Sequence, residues 1–111
     1  MLGREFRITT TQEYNNIYKN GKKIPGRFII LYVMKNHLDH NRYGFITSVK
    51  VGKAVIRNRL KRQLRNLVHQ MDPDLAPGYD FVLIVRHHAG SAEFDQLEKD
   101  LKVVLGKAQP R

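Results

Sequence analysis

Apolar residues recur along the chain with two different periods, and the changes of period mark out its elements. Tyr14, Ile17 and Tyr18 share one side of a helix. Thr10 and Glu13 precede them in the spacing of a capping box, and Gly21 follows as a stop, so a helix is predicted through about Asn20. Lys19, Lys22 and Lys23 then form a small basic turn leading to Pro25 and Gly26. Residues 27–35 (RFIILYVMK) are rich in β-branched and aromatic types and apolar on both faces, the pattern of a strand inside a sheet with cover on each side. After a polar loop over 36–41, residues 42–49 (RYGFITSV) read as the next strand, and the short link predicts an antiparallel hairpin.

The longest periodic segment follows. Ile56, Leu60, Leu64, Leu67, Val68 and Met71 fall on one stripe at a 3.6-residue period, which predicts a helix over about 54–71. Asn58, Lys61, Arg62, Arg65 and His69 take the opposite face, and Arg57 and Arg59 flank the stripe. Asp72-Pro73 ends the helix and Pro77-Gly78 is a turn. Residues 79–86 (YDFVLIVR) form a strongly apolar strand. Ser91 is the expected cap of a last helix bearing Phe94, Leu97, Leu101, Val104 and Leu105, closed by Gly106 and Pro110. The order helix, strands, helix, strand, helix implies an α+β sandwich with a small sheet, and the strand–helix–strand unit around the long helix can hold two strands parallel.

Composition narrows the partners. The chain has 111 residues, enough for one domain spanning 1–111, and 41% apolar content marks it as globular. Its formal charge is +10 and its sequence pI about 10.2, a balance that favours nucleic acid or an acidic surface. There are no cysteines, so disulfides and thiolate metal sites are excluded. No apolar run approaches a membrane span, and MLGREFRITT has no apolar core followed by a cleavage site, so neither a membrane partner nor secretion is expected, and the cytoplasm is the default compartment.

The positive charge is concentrated. Residues 50–66 (KVGKAVIRNRLKRQLRN) hold seven of the twenty Lys and Arg residues, and no carboxylate occurs between Phe45 and Met71. A helix that buries one side and presents such a face to solvent suits a polyanion. Arginine offers a planar fork that clamps two phosphate oxygens, lysine a point charge, and asparagine a hydrogen bond to base or ribose. Tyr14, Tyr18 and Tyr32 are either core aromatics or a stacking surface for bases. Phe6 and Phe28 are open to the same two readings, with the core favoured. His37, Asp39 and His40, and likewise His87-His88, lack the spacing of a metal site and read as solvent-facing. The acidic groups Asp72/Asp74 and Glu93/Asp95/Glu98/Asp100 read as helix-end and surface charges, and no phosphate-binding glycine loop or nucleophile motif is present.

The run KAVIRNRLKR, residues 53–62, resembles the signature of the bacterial ribonuclease P protein component. Arg57, Asn58, Arg59, Leu60, Lys61 and Arg62 match its core, with Gly52, Ala54 and Val55 in the lead-in and Arg65 beyond. Phe6-Arg7, the Tyr14/Tyr18 pair, Gly21, Leu31-Tyr32, Gly44 and the strand near Phe81 extend the resemblance over nearly the whole chain. Two features depart from the pattern. Ser48-Val49-Lys50 stands where Ser-Lys-Lys is frequent, losing one cationic contact at Val49, and tyrosines stand where phenylalanine is frequent.

The resemblance implies a two-layer α/β sandwich in the order α-β-β-β-α-β-α, with a small mixed sheet. The dominance of right-handed parallel crossovers favours that hand around the basic helix, whereas the resemblance implies a left-handed one. It further implies a protein subunit that binds a catalytic RNA through Arg57, Asn58, Arg59, Lys61, Arg62 and Arg65, with Lys50 and Lys53 alongside. Tyr14, Tyr18 and Tyr32 would hold the 5′ leader of precursor tRNA in a cleft. Cleavage is then expected from the RNA with Mg²⁺, with no catalytic residue, metal or cofactor in this chain, and a monomeric protein within a ribonucleoprotein. The alternative is a ribosomal or RNA-chaperone type protein that binds structured RNA without a role in cleavage.

Overall fold

The computed structural model describes residues 3–108. The first helix, α1 (Thr11–Asn20), starts at the capping box expected of it. Thr10 Oγ1 accepts the Glu13 N–H, and the Glu13 carboxylate accepts the Thr10 N–H. Gly21 ends it, its N–H donating to Ile17 O. A Cβ at Gly21 would press on the carbonyls of Ile17 and Val33, so close backbone approach is the reason for glycine there.

Four strands follow: β1 (Lys22–Pro25), β2 (Ile29–Lys35), β3 (Arg42–Ile46) and β4 (Tyr79–Val85). The basic segment after α1 is therefore an edge strand rather than a turn, with only Ile24 of its four residues buried. Too few apolar positions alternate there for periodicity to reveal it. The sheet order is β1-β2-β4-β3, with β2 antiparallel to β4 and β3 parallel to β4.

This order corrects the hairpin expected between β2 and β3. The two are not neighbours, because β4, the most apolar strand, is inserted between them and needs cover at both edges. The loop 36–41 bridges the gap of two strand spacings, roughly 10 Å. It is fastened to the start of β4 on the way: Asn36 N–H donates to Gly78 O at 2.9 Å, and buried Asn41 accepts the Tyr79 N–H at 2.9 Å.

The long helix α2 (Ala54–Met71) occupies the span the stripe predicts and connects the parallel pair β3 and β4. Its buried residues are Leu60, Leu64, Leu67 and Val68. The last helix, α3 (Phe94–Ala108), buries Leu97, Leu101, Val104 and Leu105. These eight residues join Ile29, Leu31, Val33, Phe81, Leu83 and Val85 in the main core, to which each side chain contributes roughly 1.5–3 kcal/mol. Phe28 lies in the same core, as expected. The other sheet face is lightly covered. Only Ile8, Ile17 and Val82 are buried in its cluster, with Tyr14, Tyr32, Met34, Ile46 and Ile84 half-covered around them.

The start of α3 also differs from expectation. Ser91 lies in a preceding turn, its hydroxyl donating to His88 O, and the helix opens after Glu93, whose N–H is accepted by the Gln96 side chain. Gly106 lies inside the helix rather than closing it, and Pro110 falls outside the described residues. Asp100 is not a surface charge. Its carboxylate accepts the backbone N–H groups of Arg27, Phe28 and Ile29 at 2.8, 2.8 and 3.0 Å, stapling α3 to the start of β2. Asp72 is likewise engaged, accepting from the Tyr43 hydroxyl at 2.6 Å and Asn41 Nδ2 at 3.1 Å.

Candidate nucleic-acid interface

α2 begins without a side-chain cap and without an acidic residue in its first turn, so its positive dipole end adds to its cations. Lys50, Lys53, Asn58 and Arg62 are exposed, as is Val49. Arg57, Arg59, Lys61 and Arg65 are half-buried. Lys61 and Arg65 thus sit lower on the helix than its outermost face. For Arg65 the cause is packing at the β3 edge, where its guanidinium lies 5.7 Å from the centre of the Phe45 ring.

Two of the arginines are tied to backbone carbonyls while their charge stays unneutralised. Arg57 Nε donates to Gly52 O at 3.2 Å, and Arg59 Nη2 donates to Gly90 O at 3.1 Å. Among the described residues, the buried Nε atoms of Arg59 and Arg65 have no hydrogen-bond partner. Among the described residues, none of the seven cations between Lys50 and Arg65 forms an ion pair. For Arg57 and Arg59 the backbone bonds reduce the rotamer entropy that a phosphate contact must overcome. Asn58, Lys61, Arg62, Arg65 and Asn66 line one open groove of about 410 Å³ along the helix. Val55, Ile56, Asn58, Arg59 and Arg62 line a second near its start.

The three tyrosines meet on the lightly covered sheet face. Tyr18 stands edge-on to Tyr32 with ring centres 5.1 Å apart, and Tyr14 lies 6.4 Å from Tyr18. Tyr18 is 37% exposed, and Tyr14 and Tyr32 are half-buried, so the cluster is a floor and wall rather than a closed core. The Tyr14 hydroxyl donates to Ile8 O at 3.2 Å. Burial raises the pKa of both Tyr14 and Tyr18, keeping the phenols neutral. Tyr14 lies over Gly44, where any Cβ would enter its ring, which explains a glycine inside β3.

The two predicted sites adjoin. Tyr14 and Arg65 line the same open cavity of about 250 Å³, together with Arg7, Ile8, Thr9 and Phe45. Arg7 and Phe45 escaped sequence reasoning as site residues, since neither carries a spacing signal, although Arg7 lies in the matched Phe6-Arg7 pair.

A third constellation, absent from the sequence reading, supports this face. Arg42 donates to Asp80 through Nε at 2.9 Å and Nη2 at 2.7 Å, and to Glu13 through Nη1 at 2.7 Å. Asp80 is 2% exposed and also accepts from Asn36 Nδ2. Hydrogen bonding to Asp80 holds the Arg42 pKa above its ordinary value, and the bond from Arg42 holds the Glu13 carboxyl below its own. His40 is also bound rather than merely solvent-facing. Its ring contacts Asp39 and Glu5 O and stands edge-on to Phe6. Among the described residues, no three His, Asp or Glu side chains converge in the manner of a metal site.

Comparison with known proteins identifies the family and the fold. The family model described as ribonuclease P matches residues 2–109. The chain is 45% identical over 108 residues to the ribonuclease P protein component of Syntrophomonas wolfei, covering 97% of this chain and 91% of that protein. Its fold is similar to the RNase P protein of Staphylococcus aureus, with TM-score 0.87, 31% identity and coverage of 93% and 94%. It is also similar to that of Thermotoga maritima, with TM-score 0.85, 26% identity and coverage of 94% and 98%.

Proposed function

The chain belongs to the ribonuclease P protein component family, and from that premise we propose that it is the protein subunit of a bacterial ribonuclease P, assisting removal of the 5′ leader from precursor tRNA. The observation that carries this reading is a row of cations on α2 without ion-pair partners among the described residues, adjoining the tyrosine floor where Tyr14 and Arg65 line one cavity. In this division of labour α2 docks the catalytic RNA through Arg57, Asn58, Arg59, Lys61, Arg62 and Arg65, with Lys50 and Lys53 alongside. Each cation in contact with a phosphate releases counterions, so affinity is largely electrostatic.

Tyr14, Tyr18 and Tyr32 receive the single-stranded leader. Stacking contributes about 1–3 kcal/mol per base and accepts any base, which suits leaders of varied sequence. The strand then passes Arg65 on its way to α2. Holding two polyanions against one cationic surface lowers their repulsion and tightens substrate binding.

Mg²⁺ in this reading is held by the RNA, as the family resemblance implies. The phosphodiester is hydrolysed on the RNA, and the protein acts by charge and position as a single copy within the particle. The described residues contain no helix long and apolar enough to cross a membrane, and the cytoplasm is the compartment such a particle implies.

The test is reconstitution. At low Mg²⁺, the purified protein and its cognate catalytic RNA together are expected to cut precursor tRNA at the mature 5′ end, while the protein alone does not. Cutting by the protein alone contradicts the division of labour. Tight binding to ribosomal RNA with no stimulation of cleavage favours a general RNA-binding role instead.

A further inference from the structure

α1 carries two of the three tyrosines, yet its hold on the sheet is slight. One residue, Ile17, is its buried anchor. Around the helix, Tyr14 and Tyr18 lie on one flank of Ile17 and Glu13 on the other, as their sequence spacing requires. Ile17 is thus a pivot about which the helix can roll. A tyrosine hydroxyl stands roughly 9 Å from a helix axis, so a roll of about 10° displaces it by roughly 1.5 Å. Tyr18 stands edge-on to Tyr32 at 5.1 Å, and a shift of that size changes the space offered to a base.

On the tyrosine flank the Tyr14 hydroxyl bond to Ile8 O opposes this roll, and on the Glu13 flank a second fastening ties the helix directly to the sheet. Arg42 and Asp80 are register partners across the parallel pair β3 and β4, so the sheet itself sets their spacing. Their two-pronged contact, at 2.9 and 2.7 Å, orients the guanidinium with its remaining nitrogen, Nη1, toward α1. That nitrogen meets Glu13 Oε2 at 2.7 Å. Asp80 is buried and Asn36 braces it from the loop, so the sheet end of the clamp is rigid. Glu13 is doubly constrained, because its other oxygen, Oε1, closes the capping box on Thr10. One carboxylate thereby joins the start of α1 to the sheet.

We propose that Arg42 is a positioning residue for the leader cleft: by tying Glu13 on α1 to Asp80 on β4, it sets the roll of α1 and hence the separation of Tyr14 and Tyr18 from Tyr32. The role rests on the leader-binding reading above, and it adds a residue that touches no RNA. Loss of the clamp leaves the rings present but variably placed, so the leader loses part of its stacking while α2 is untouched.

The experiment compares precursor tRNA with the same tRNA lacking its leader, bound to holoenzyme reconstituted with wild-type protein, Glu13→Gln or Arg42→Met. Glu13→Gln is the cleaner variant, because glutamine keeps the capping box and leaves the buried Arg42–Asp80 pair whole. The expected result is a loss of about two- to five-fold in the leader-dependent gain in affinity, the range for a partly exposed ion pair. Affinity for leaderless tRNA and for the catalytic RNA stays unchanged. In a Tyr14→Ala/Tyr18→Ala background, Glu13→Gln should have no further effect, which separates positioning from a merely structural role. Retention of the full leader-dependent gain by Glu13→Gln overturns the proposal, as does an equal loss for both RNAs or a further loss without the tyrosines. If wild-type holoenzyme itself does not distinguish the two RNAs, the leader-binding reading fails first, and the two failures are told apart.

Discussion

Replacing Arg62 with alanine isolates the electrostatic role of α2. Arg62 is exposed and, among the described residues, has neither a hydrogen-bond acceptor nor an acidic partner. Its removal leaves nothing unsatisfied, so folding stability should stay within roughly 0.5 kcal/mol of wild type. RNA affinity should respond differently. If about five of the seven cations meet phosphates, log K falls with log salt at a slope near −4, or about 250-fold between about 50 and 200 mM salt. Losing one contact reduces the slope by about 0.8, so the same change in salt costs the variant only about 80-fold. The assay is equilibrium binding to the catalytic RNA across that salt range, alongside thermal denaturation. Arg59→Ala is the control with a structural share, since it also removes the bond to Gly90 O and should cost about 1 kcal/mol of stability. An unchanged salt slope for Arg62→Ala, or a clear drop in its melting temperature, refutes the reasoning.

Other perturbations test the remaining parts. Tyr14→Ala with Tyr18→Ala should lower affinity for leader-bearing substrate by about 1–3 kcal/mol per base unstacked while sparing leaderless tRNA, as read by paired binding assays. Equal loss for both would mean a damaged core. Asp100→Ala frees three backbone N–H groups and should lower unfolding free energy by about 2–3 kcal/mol in a denaturant titration, with RNA affinity per folded molecule unchanged. Acid should loosen the Arg42 clamp. The folded Glu13 carboxyl lies below its ordinary value of 4.5, chiefly through the bond from Arg42, so its contribution is present above that pH and is lost as pH falls through the folded value. Wild type should therefore lose melting temperature more steeply than Glu13→Gln below pH 4.5, and parallel curves would contradict the assignment.

Local order was the most legible part of the chain. The stripe from Ile56 to Met71 has one period and two clear ends, and α2 occupies the predicted residues. The Thr10–Glu13 pair is a short-range signal, and it forms as written. Strand pairing was harder because it depends on contacts distant in sequence. The loop 36–41 is short enough for a hairpin, yet it also suffices to step over one strand, and nothing nearby distinguishes the two. The cations of the site could be found because carboxylates are missing around them. The Arg42–Asp80–Glu13 clamp could not, for its members come from three separate elements and each is an ordinary surface residue type. Asp100 misled for the same reason: its partners are backbone N–H groups, which carry no residue identity to read.

The central claim is a division of the surface, with α2 on the catalytic RNA and the tyrosine floor on the leader. The chain has no cysteine, so single variants Asn58→Cys and Tyr18→Cys can each carry a photo-crosslinker without a background label. In assembled holoenzyme with precursor tRNA, the probe at 58 is expected to tag the catalytic RNA and the probe at 18 the leader. Leader crosslinks from position 58 together with catalytic-RNA crosslinks from position 18 would contradict the account.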